Sequence, residues 1–192
     1  NPTFREVLEA VNEIAEYLRG DQLVILRSTL YPGTTRKVSN LLEEKLGKAS
    51  VAFCPERVAE GRGLEEITRL PQIISACDQA SLQRARQLFS GLGVECVETT
   101  PEEAELAKLF SNAWRYISFA ISNQFYMIAR DHGLDFYNIY RAMVFNYPRL
   151  QGFARAGFTA GPCLLKDTLQ LSAFSKNNVF LGHSAKLINE GL

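Results

Sequence analysis

Apolar runs of strand length alternate with amphipathic stretches over roughly the first half of this 192-residue chain. In the amphipathic stretches, apolar residues recur three and four positions apart, which indicates helices, whereas the short continuous runs indicate buried strands. This alternation predicts a parallel sheet with helices on both faces. The predicted strands are 23–28, 50–54, 72–77 and 94–98, and the predicted helices include 3–19, 34–47 and one that begins at Asp78.

The second half of the chain keeps helical spacing and has no strand-like runs. Thr100, Pro101 and Glu103 mark a helix start, with an N-cap residue, a proline at the first helical position and a capping box. Apolar residues continue from 106 to 128 and Gly133 ends the pattern, so about thirty residues at about 1.5 Å each predict a rod of roughly 45 Å. Further helices are predicted at 135–145 and 163–176. The predicted fold class is therefore α/β followed by all-α, with a helical domain built on one long helix.

The change in pattern also predicts the domain boundaries. Residues 1–99 should be the C-terminal part of a partial Rossmann-like domain, 100–177 a helical central domain, and 178–192 the start of a linker toward a further domain. A G-x-G-x-x-G turn is absent, since GRGLEE at 61–66 has only the first two glycines and GLGVEC at 91–96 leads into a strand. Because the chain also opens on a helix and ends after an Asn-Glu-Gly turn signal, we expect a segment of a longer protein.

Composition and charge restrict the partners. The chain is 46% hydrophobic and 10% aromatic, which is enough for one good core or two small ones. Its 21 basic residues balance its 21 acidic ones, so no overall field attracts nucleic acid or an anionic membrane. The sequence also has no apolar run long enough to span a bilayer. We expect a cytoplasmic protein with neither nucleic acid nor membrane as a partner.

The four cysteines fall into two classes. Cys54, Cys77 and Cys96 lie within or at the end of apolar runs, where a cysteine usually serves as a small buried hydrophobe. Cys163 lies among glycines and charged residues instead. The sequence has no C-x-x-C pair and only two histidines, so we predict no metal site.

The segment 156–167, AGFTAGPCLLKD, places Cys163 directly after a Gly-Pro pair at the predicted start of a helix. The backbone N–H groups at a helix N-terminus favour a thiolate, and Lys166 lies nearby, so Cys163 is a candidate nucleophile. Asp167, four residues on, shares its helical face and is able to orient water or accept a proton. The alternative is a capping turn with an incidental cysteine and a solvated Lys-Asp pair, and these residues alone leave both interpretations open.

Two other groups of polar residues are candidates for a site. Glu105, Lys108 and Asn112 share one face of the long helix, although a polar outer face would show the same spacing. The other group follows predicted strands, where open α/β sheets place their ligands. It contains Ser28 and Thr29 in RSTLYPGTT, and Glu56 and Glu60 in CPERVAEGRG.

Together these segments resemble the UDP-glucose/GDP-mannose dehydrogenase family of nucleotide-sugar dehydrogenases. The resemblance covers nearly the whole chain through STLYPGTT, PERVAEG, LPQIISA, AELAKLFSNAWRY, FYMIA and AGPCLLKDT, in that order. It implies that residues 1–99 belong to an NAD-binding domain and that the helical domain forms a homodimer through its long helix. The implied reaction is the NAD-dependent oxidation of a nucleotide-sugar C6 alcohol to the carboxylate, through a thioester on the active-site cysteine.

The resemblance also implies a role for each matching residue. Cys163 would be the nucleophile, and Asp167 and Thr29 would position or activate the water that hydrolyses the thioester. Lys108 would stabilise oxyanions, with Asn112 supporting the same site.

Glu60 is the implied candidate for an acid/base group. The implied cofactor-binding residues are Ser28, Thr29, Glu56 and Lys166. The implied substrate-binding residues are Glu60, Lys108, Asn112 and Gly161. The sugar stays open among UDP-glucose, UDP-N-acetylmannosamine, UDP-N-acetylglucosamine and GDP-mannose.

One departure and two alternatives qualify this interpretation. Many family members have Gly-Gly where this chain has Ala160-Gly161-Pro162, which affects the backbone that contacts the sugar. A β-hydroxyacid dehydrogenase of the 6-phosphogluconate type would also join a Rossmann domain to a long helix with a catalytic lysine, but without a cysteine thioester. Because the dinucleotide turn is missing, the chain alone is expected to be inactive, and a non-catalytic dimerisation module is the other alternative.

Overall fold

The computed structural model describes residues 4–158 and 161–192. The chain divides into two compact units, the first ending at Lys108 and the second beginning at Leu109. This boundary lies inside the long helix because the first turns of that helix belong to the core of the first unit, where Ala104 packs with Leu30 and Phe53. In the described stretches, no helix combines the length and hydropathy that a membrane span requires.

The first unit alternates strands and helices, as the sequence predicts. Its elements are α1 (Arg5–Ala15), β1 (Val24–Leu26), α2 (Thr34–Leu46), β2 (Val51–Phe53), α3 (Gly63–Glu66), β3 (Gln72–Ala76), α4 (Gln79–Ser90) and β4 (Cys96–Glu98). The first helix was predicted over residues 3–19, and its first residue, Thr3, lies outside the described residues.

The four strands form one sheet in the order β1-β2-β3-β4. The pairs β1–β2 and β3–β4 are parallel, with Leu26 opposite Phe53 in the first of them. The predicted α/β sheet is therefore confirmed, but the pair β2–β3 departs from parallel pairing, with Phe53 opposite Ser75 in an antiparallel register. The segment 54–71 contains only the short helix α3, and an antiparallel neighbour requires no helical crossover.

Helices cover both faces of the sheet. Successive side chains of a strand point to opposite faces, and β2 follows this rule. Val51 packs with Val38 of α2 in a cluster that α1 also joins. Its neighbour Ala52 packs with Ala85 and Phe89 of α4 in a second cluster. The continuous apolar run of β2 is thus explained by burial on both sides.

The second unit is all-helical among its described residues. Its elements are most of α5 (Pro101–Asp131), then α6 (Phe136–Val144), a 3₁₀ turn (Pro148–Leu150), α7 (Gly161–Phe174) and α8 (Phe180–Glu190). The predicted start of α5 is confirmed, since the Thr100 N–H donates to Glu103 Oε2 (3.0 Å) and the Glu103 N–H donates to Thr100 Oγ1 (3.4 Å). The 31 residues of α5 correspond to about 46 Å.

The last segment differs from the sequence-based expectation. Residues 178–192 were predicted to begin a linker, whereas the structure has α8 there, with Ala185 packed against Tyr116 and Leu164. Helix α7 also begins at Gly161, two residues before the predicted start at Cys163. Both changes lengthen the helical core around the cysteine segment.

Candidate active site

Helix α7 holds the predicted nucleophile and the predicted carboxylate one turn apart. Cys163 is exposed in the first turn of α7, and Asp167 on the next turn is 1% exposed. Residues four apart on a helix lie on one face, so an accessible thiol precedes a buried carboxylate along that face. Gly161, the first residue of α7, has a φ of 68°, a left-handed conformation that glycine adopts without strain.

The buried carboxylate of Asp167 is held by the predicted polar residue of α5. Asn112, also buried, donates from Nδ2 to Asp167 Oδ2 at 2.5 Å. Lys166 Nζ lies 3.7 Å from Asp167 Oδ1, and its side chain is largely exposed. A buried ionised group requires such partners because an unpaired one costs several kcal/mol, on the order of 3. The structure thus brings together Asn112, Lys166 and Asp167.

The remaining cysteines differ from Cys163 in exposure. Cys54 is fully buried, and this burial raises the pKa of its thiol to about 11. Cys77 is half-buried, and burial again raises its pKa. Both shifts disfavour a thiolate at neutral pH. Cys54 therefore fits the predicted class of buried cysteines, whereas Cys77 and Cys96 are only partly buried.

The strand-end residues lie in the first unit. Ser28 and Thr29 follow Arg27, the first residue after β1, and Glu56 lies three residues after the end of β2. Backbone hydrogen bonding between these two segments continues past the ends of β1 and β2, because the Glu56 N–H donates to the backbone oxygen of Arg27 at 2.9 Å. Ser28 and Thr29 therefore lie at the carboxyl edge of a parallel pair, the edge at which open α/β sheets bind ligands.

Glu56 is tied to Arg27, a residue that the sequence analysis did not select. The Arg27 guanidinium donates to Glu56 Oε2 and to Gln72 Oε1, and it stacks on the ring of Phe89. Burial alone would raise the pKa of Glu56, but the hydrogen bond from Arg27, with the N–H groups of Val58 and Arg57, outweighs it and lowers the pKa. The predicted cofactor contact is thus a fixed anion at neutral pH.

Glu60 and Lys108 occupy different environments. Glu60 is exposed in the turn before α3, and Lys108 is half-buried on α5. Asn112, one turn further along α5, belongs to the second unit. The predicted site residues therefore fall into one group in each unit: Ser28, Thr29, Glu56, Glu60 and Lys108 in the first, and Asn112, Gly161, Cys163, Lys166 and Asp167 in the second.

Two sets of residues hold these groups through contacts that the sequence did not indicate. Glu105, which the sequence grouped with Lys108 and Asn112 as a candidate for the site, is fully buried and binds the start of α2. In the second unit, side chains of α5 and α6 hold the backbone of the loop 151–158, ahead of the cysteine segment. Asn123 Oδ1 accepts from the Gly157 N–H (2.8 Å), and the Tyr140 hydroxyl donates to the Phe153 oxygen (2.9 Å). The polar pair Ser122-Asn123 inside an apolar stretch was the available signal.

Comparison with known proteins finds relatives over nearly the whole chain. Residues 1–92 match the UDP-glucose/GDP-mannose dehydrogenase family, NAD binding domain, and residues 102–191 match the central domain of the same family. The UDP-N-acetyl-D-mannosamine dehydrogenase of Pyrococcus horikoshii is 31% identical over 99% of this chain and 47% of its own length. The enzyme of that name in Escherichia coli K12 is 28% identical over 98% of this chain and 48% of its own length.

Solved structures extend the likeness to the fold. The structure of the UDP-D-ManNAc dehydrogenase from Pyrococcus horikoshii matches 99% of this chain and 47% of that chain, with a TM-score of 0.89 and 30% identity. The chain thus spans about half the length of the relatives it matches. The two domain models belong to one family and match nearly all residues in chain order. The chain therefore belongs to the UDP-glucose/GDP-mannose dehydrogenase family.

Proposed function

We propose that the protein carrying this chain oxidises the C6 alcohol of a UDP-sugar to the carboxylate, through a thioester on Cys163. The observation that supports this proposal is the position of the exposed Cys163 one turn before Asp167, whose carboxylate is buried and bound by Asn112. The balanced reaction consumes the alcohol, two NAD⁺ and one water, and yields the carboxylate, two NADH and three protons. We propose the roles of the individual residues together with this reaction.

The strand-end residues of the first unit fit NAD in their donor and acceptor chemistry. Ser28 and Thr29 carry hydroxyls at the carboxyl edge of a parallel strand pair, where open α/β sheets bind nucleotides. Glu56, fixed by Arg27, adds an anionic acceptor at that edge. Lys166, in the second unit, is a further residue that we propose for NAD binding. Bound NAD would supply the hydride acceptor for C6 in each half of the reaction.

In the first half, the chain's residues convert the alcohol to an aldehyde and capture it. Glu60 takes the hydroxyl proton as the hydride leaves, and the Lys108 ammonium stabilises the negative charge that develops on oxygen. Cys163 Sγ then attacks the aldehyde carbon, forming a C–S bond, and the oxygen takes up a proton. The Asn112 side chain supports the oxygen-binding site while holding Asp167 in place.

In the second half, the captured aldehyde becomes a thioester and is hydrolysed. Loss of the second hydride and of the hydroxyl proton leaves an acyl group on Cys163 Sγ. Asp167 and Thr29 position a water, which attacks the acyl carbon while Asp167 accepts its proton. The C–S bond breaks, and the carboxylate leaves with Cys163 restored as a thiol. Gly161, at the start of α7, offers its backbone to the sugar.

The first UDP-sugar to test is UDP-N-acetyl-D-mannosamine. Relatives that carry this name match 99% and 96% of this chain at 31% and 29% identity. The Ala160-Gly161-Pro162 run, in place of Gly-Gly, alters the backbone expected to contact the sugar, so the other three nucleotide sugars belong in the same assay.

The deciding experiment measures NADH formed per sugar consumed by the full-length protein, with each of the four nucleotide sugars. Two NADH per sugar, with the 6-carboxylate as product, would support the proposal. One NADH per molecule of a β-hydroxyacid and none with any nucleotide sugar would favour the cysteine-independent alternative. Absence of turnover with all substrates, with NAD bound, would favour a non-catalytic module.

We also propose that α5 mediates a homodimer. Five large apolar residues of α5 are exposed and recur three, four or seven positions apart, so they form one stripe on its surface. They are Phe110, Trp114, Ile121, Phe125 and Ile128. Sedimentation should show a dimer that Trp114→Glu dissociates and that Leu64→Glu, a change at an exposed leucine of α3, leaves intact. A monomer at micromolar concentration before mutation would contradict this.

A further inference from the structure

Helix α2 begins without an N-cap side chain of its own. Its N-cap residue is Gly33, with a φ of 92°, and no side-chain hydrogen bond is made from this position. The first N–H groups of any helix lack partners within the helix and need acceptors from elsewhere. Serine, threonine, aspartate or asparagine at the N-cap position normally supplies one.

Glu105 of α5 supplies these acceptors from 70 residues away. Its Oε2 accepts from the Gly33 N–H at 2.6 Å. Its Oε1 accepts from the Thr35 N–H at 2.8 Å and from Thr35 Oγ1 at 2.6 Å. Glu105 and Thr35 are fully buried, so no solvent is available to replace these hydrogen bonds, and the positive end of the α2 dipole favours a carboxylate there.

The segment that Glu105 binds is the end of the loop that carries Thr29. This loop runs from the end of β1 to the start of α2, and Leu30 within it is buried against Phe53 and Ala104. Thr29 therefore lies in a short segment that follows β1. On its C-terminal side, Leu30 is packed in the core and Gly33 is bound by Glu105. Lys108 is one turn further along α5 than Glu105 and shares its face.

We propose that Glu105 is a positioning residue for the reaction: its carboxylate fixes the Thr29 loop to the helix that carries Lys108, and so sets the place of Thr29. This inference rests on the proposed function, because Thr29 and Lys108 have chemical roles only there. Effects of geometry can be large, since a displacement of about 1 Å at a reacting group can cost roughly 100-fold in rate.

The chain contains a matched control for this contact. Glu102, one turn before Glu105, also joins α5 to α2, through an ion pair with Arg36 at 2.8 Å. That pair lies at the surface, with both side chains about half exposed, and it does not involve the loop. Glu102→Gln therefore removes a contact between the same two helices and leaves the backbone of the loop held.

Glu105→Gln is the sharpest test variant because it keeps the shape and removes one acceptor. If the amide oxygen stays on Thr35, the amide nitrogen faces the Gly33 N–H, and two donors then oppose each other. Thr35→Val is the milder second variant, since it removes only the hydroxyl donor at 2.6 Å and keeps both backbone donors to Glu105. It carries the test should Glu105→Gln fail to fold.

The first measurement is hydrogen exchange of the full-length protein without substrate. We expect amide exchange over residues 28–35 to accelerate about 10-fold or more in Glu105→Gln, and less in Thr35→Val, with no change in Glu102→Gln. Unchanged exchange in both Glu105→Gln and Thr35→Val would overturn the proposal. This arm is independent of catalysis, so it decides whether Glu105 fixes the loop even if the proposed function fails.

The second measurement is a double-mutant cycle on kcat. We expect Glu105→Gln to lower kcat about 10- to 100-fold with KM for the sugar nearly unchanged, and to accumulate a covalent sugar adduct on Cys163, as Thr29→Ala should. Combined with Thr29→Ala it should lower kcat no further. Independent, multiplying effects of the two substitutions would overturn the proposal even if exchange over the loop had changed.

Discussion

Glu105 and Asn112 are two buried polar residues on α5, about two turns apart, and they hold their targets in different ways. Asn112, in the second unit, binds a side chain, the Asp167 carboxylate. Glu105, in the first unit, binds the backbone of Gly33 and both the backbone and the hydroxyl of Thr35. One contact fixes a functional group directly, whereas the other fixes the main chain from which a functional group projects.

This difference determines what each residue contributes. Loss of Asn112 leaves a buried carboxylate with one partner fewer, so its main expected effects are on stability and on the chemistry of Asp167. Loss of Glu105 leaves the Thr29 side chain intact but releases the loop that carries it. Substitutions of Cys163 and Asp167 should therefore change the chemistry at the thioester directly, whereas substitutions of Glu105 should act through the position of Thr29.

The largest effect is expected from Cys163→Ser. A serine hydroxyl is a far weaker nucleophile than a thiolate and would form an ordinary ester, so kcat for the four-electron oxidation should fall about 10³-fold or more. Initial rates with NAD and a UDP-sugar measure this in the full-length protein. If the variant kept full activity, the thioester mechanism would be excluded, because the reaction would not require the thiol of Cys163.

A smaller loss, with a different signature, is expected from Asp167→Asn. The asparagine cannot accept a proton from water, so hydrolysis of the thioester should slow about 100-fold while Cys163 stays reactive. Intact-mass spectrometry after mixing with NAD and a UDP-sugar should show the sugar adduct on Cys163. Asp167→Asn combined with Cys163→Ser is the control and should carry no thioester. A slowed single variant without an adduct would contradict the assignment of Asp167 to hydrolysis.

The free energy of unfolding should distinguish a buried contact of the second unit from a surface contact of the first. Asn112→Ala should lower the free energy of unfolding by about 2 kcal/mol, because a buried carboxylate loses a hydrogen-bond donor. Glu102→Gln, which breaks the exposed pair with Arg36, should cost less than about 1 kcal/mol. Urea unfolding of both variants measures the difference. Equal losses would mean that burial of Asp167 is not what makes the Asn112 contact strong.

The sequence predicted those parts of the fold and site that depend on residue type and spacing. The four strands, the helices α1, α2 and α4, and the shared face of Cys163 and Asp167 follow from periodicity, and the start of α5 follows from its capping residues. The short helix α3 was not predicted. The antiparallel pairing of β2 with β3 depends on the path of the connection. The role of Glu105 was hidden because its partners are mostly backbone groups, which every residue carries.

Helix α8 was missed for a physical reason that the structure supplies. Its sequence contains Gly182, a residue that lowers helix propensity. In the structure Gly182 is buried, and a Cβ at this position would lie 2.8 Å from Thr168 Cγ2 of α7 and 3.0 Å from Val179 Cγ1. The glycine therefore permits close approach of α8 to α7, and this tertiary requirement overrides local propensity.

The smallest effect is expected from Glu103, the exposed neighbour of the buried Glu105 on α5. Its side chain accepts from the hydroxyls of Thr99 and Thr100 and from the Thr100 N–H, and these hydrogen bonds lower its pKa from 4.5 to about 2. Because the pKa is depressed in the folded state, the capping box stabilises the protein fully above pH 4.5. This contribution is lost as the pH falls from about 4.5 toward 2.

Glu103→Gln should remove that dependence, since an amide does not titrate in this range. Thermal unfolding of the full-length protein at several pH values between 6 and 3 should therefore show a shallower fall of Tm for Glu103→Gln than for the wild type. Glu95→Gln, an exposed change ahead of β4, is the matched control and should follow the wild type. Parallel curves of Tm against pH for wild type and Glu103→Gln would show that protonation of Glu103 in the capping box does not change the stability of the fold. In that case Glu105, rather than the cap, would remain the contact expected to hold this end of α5.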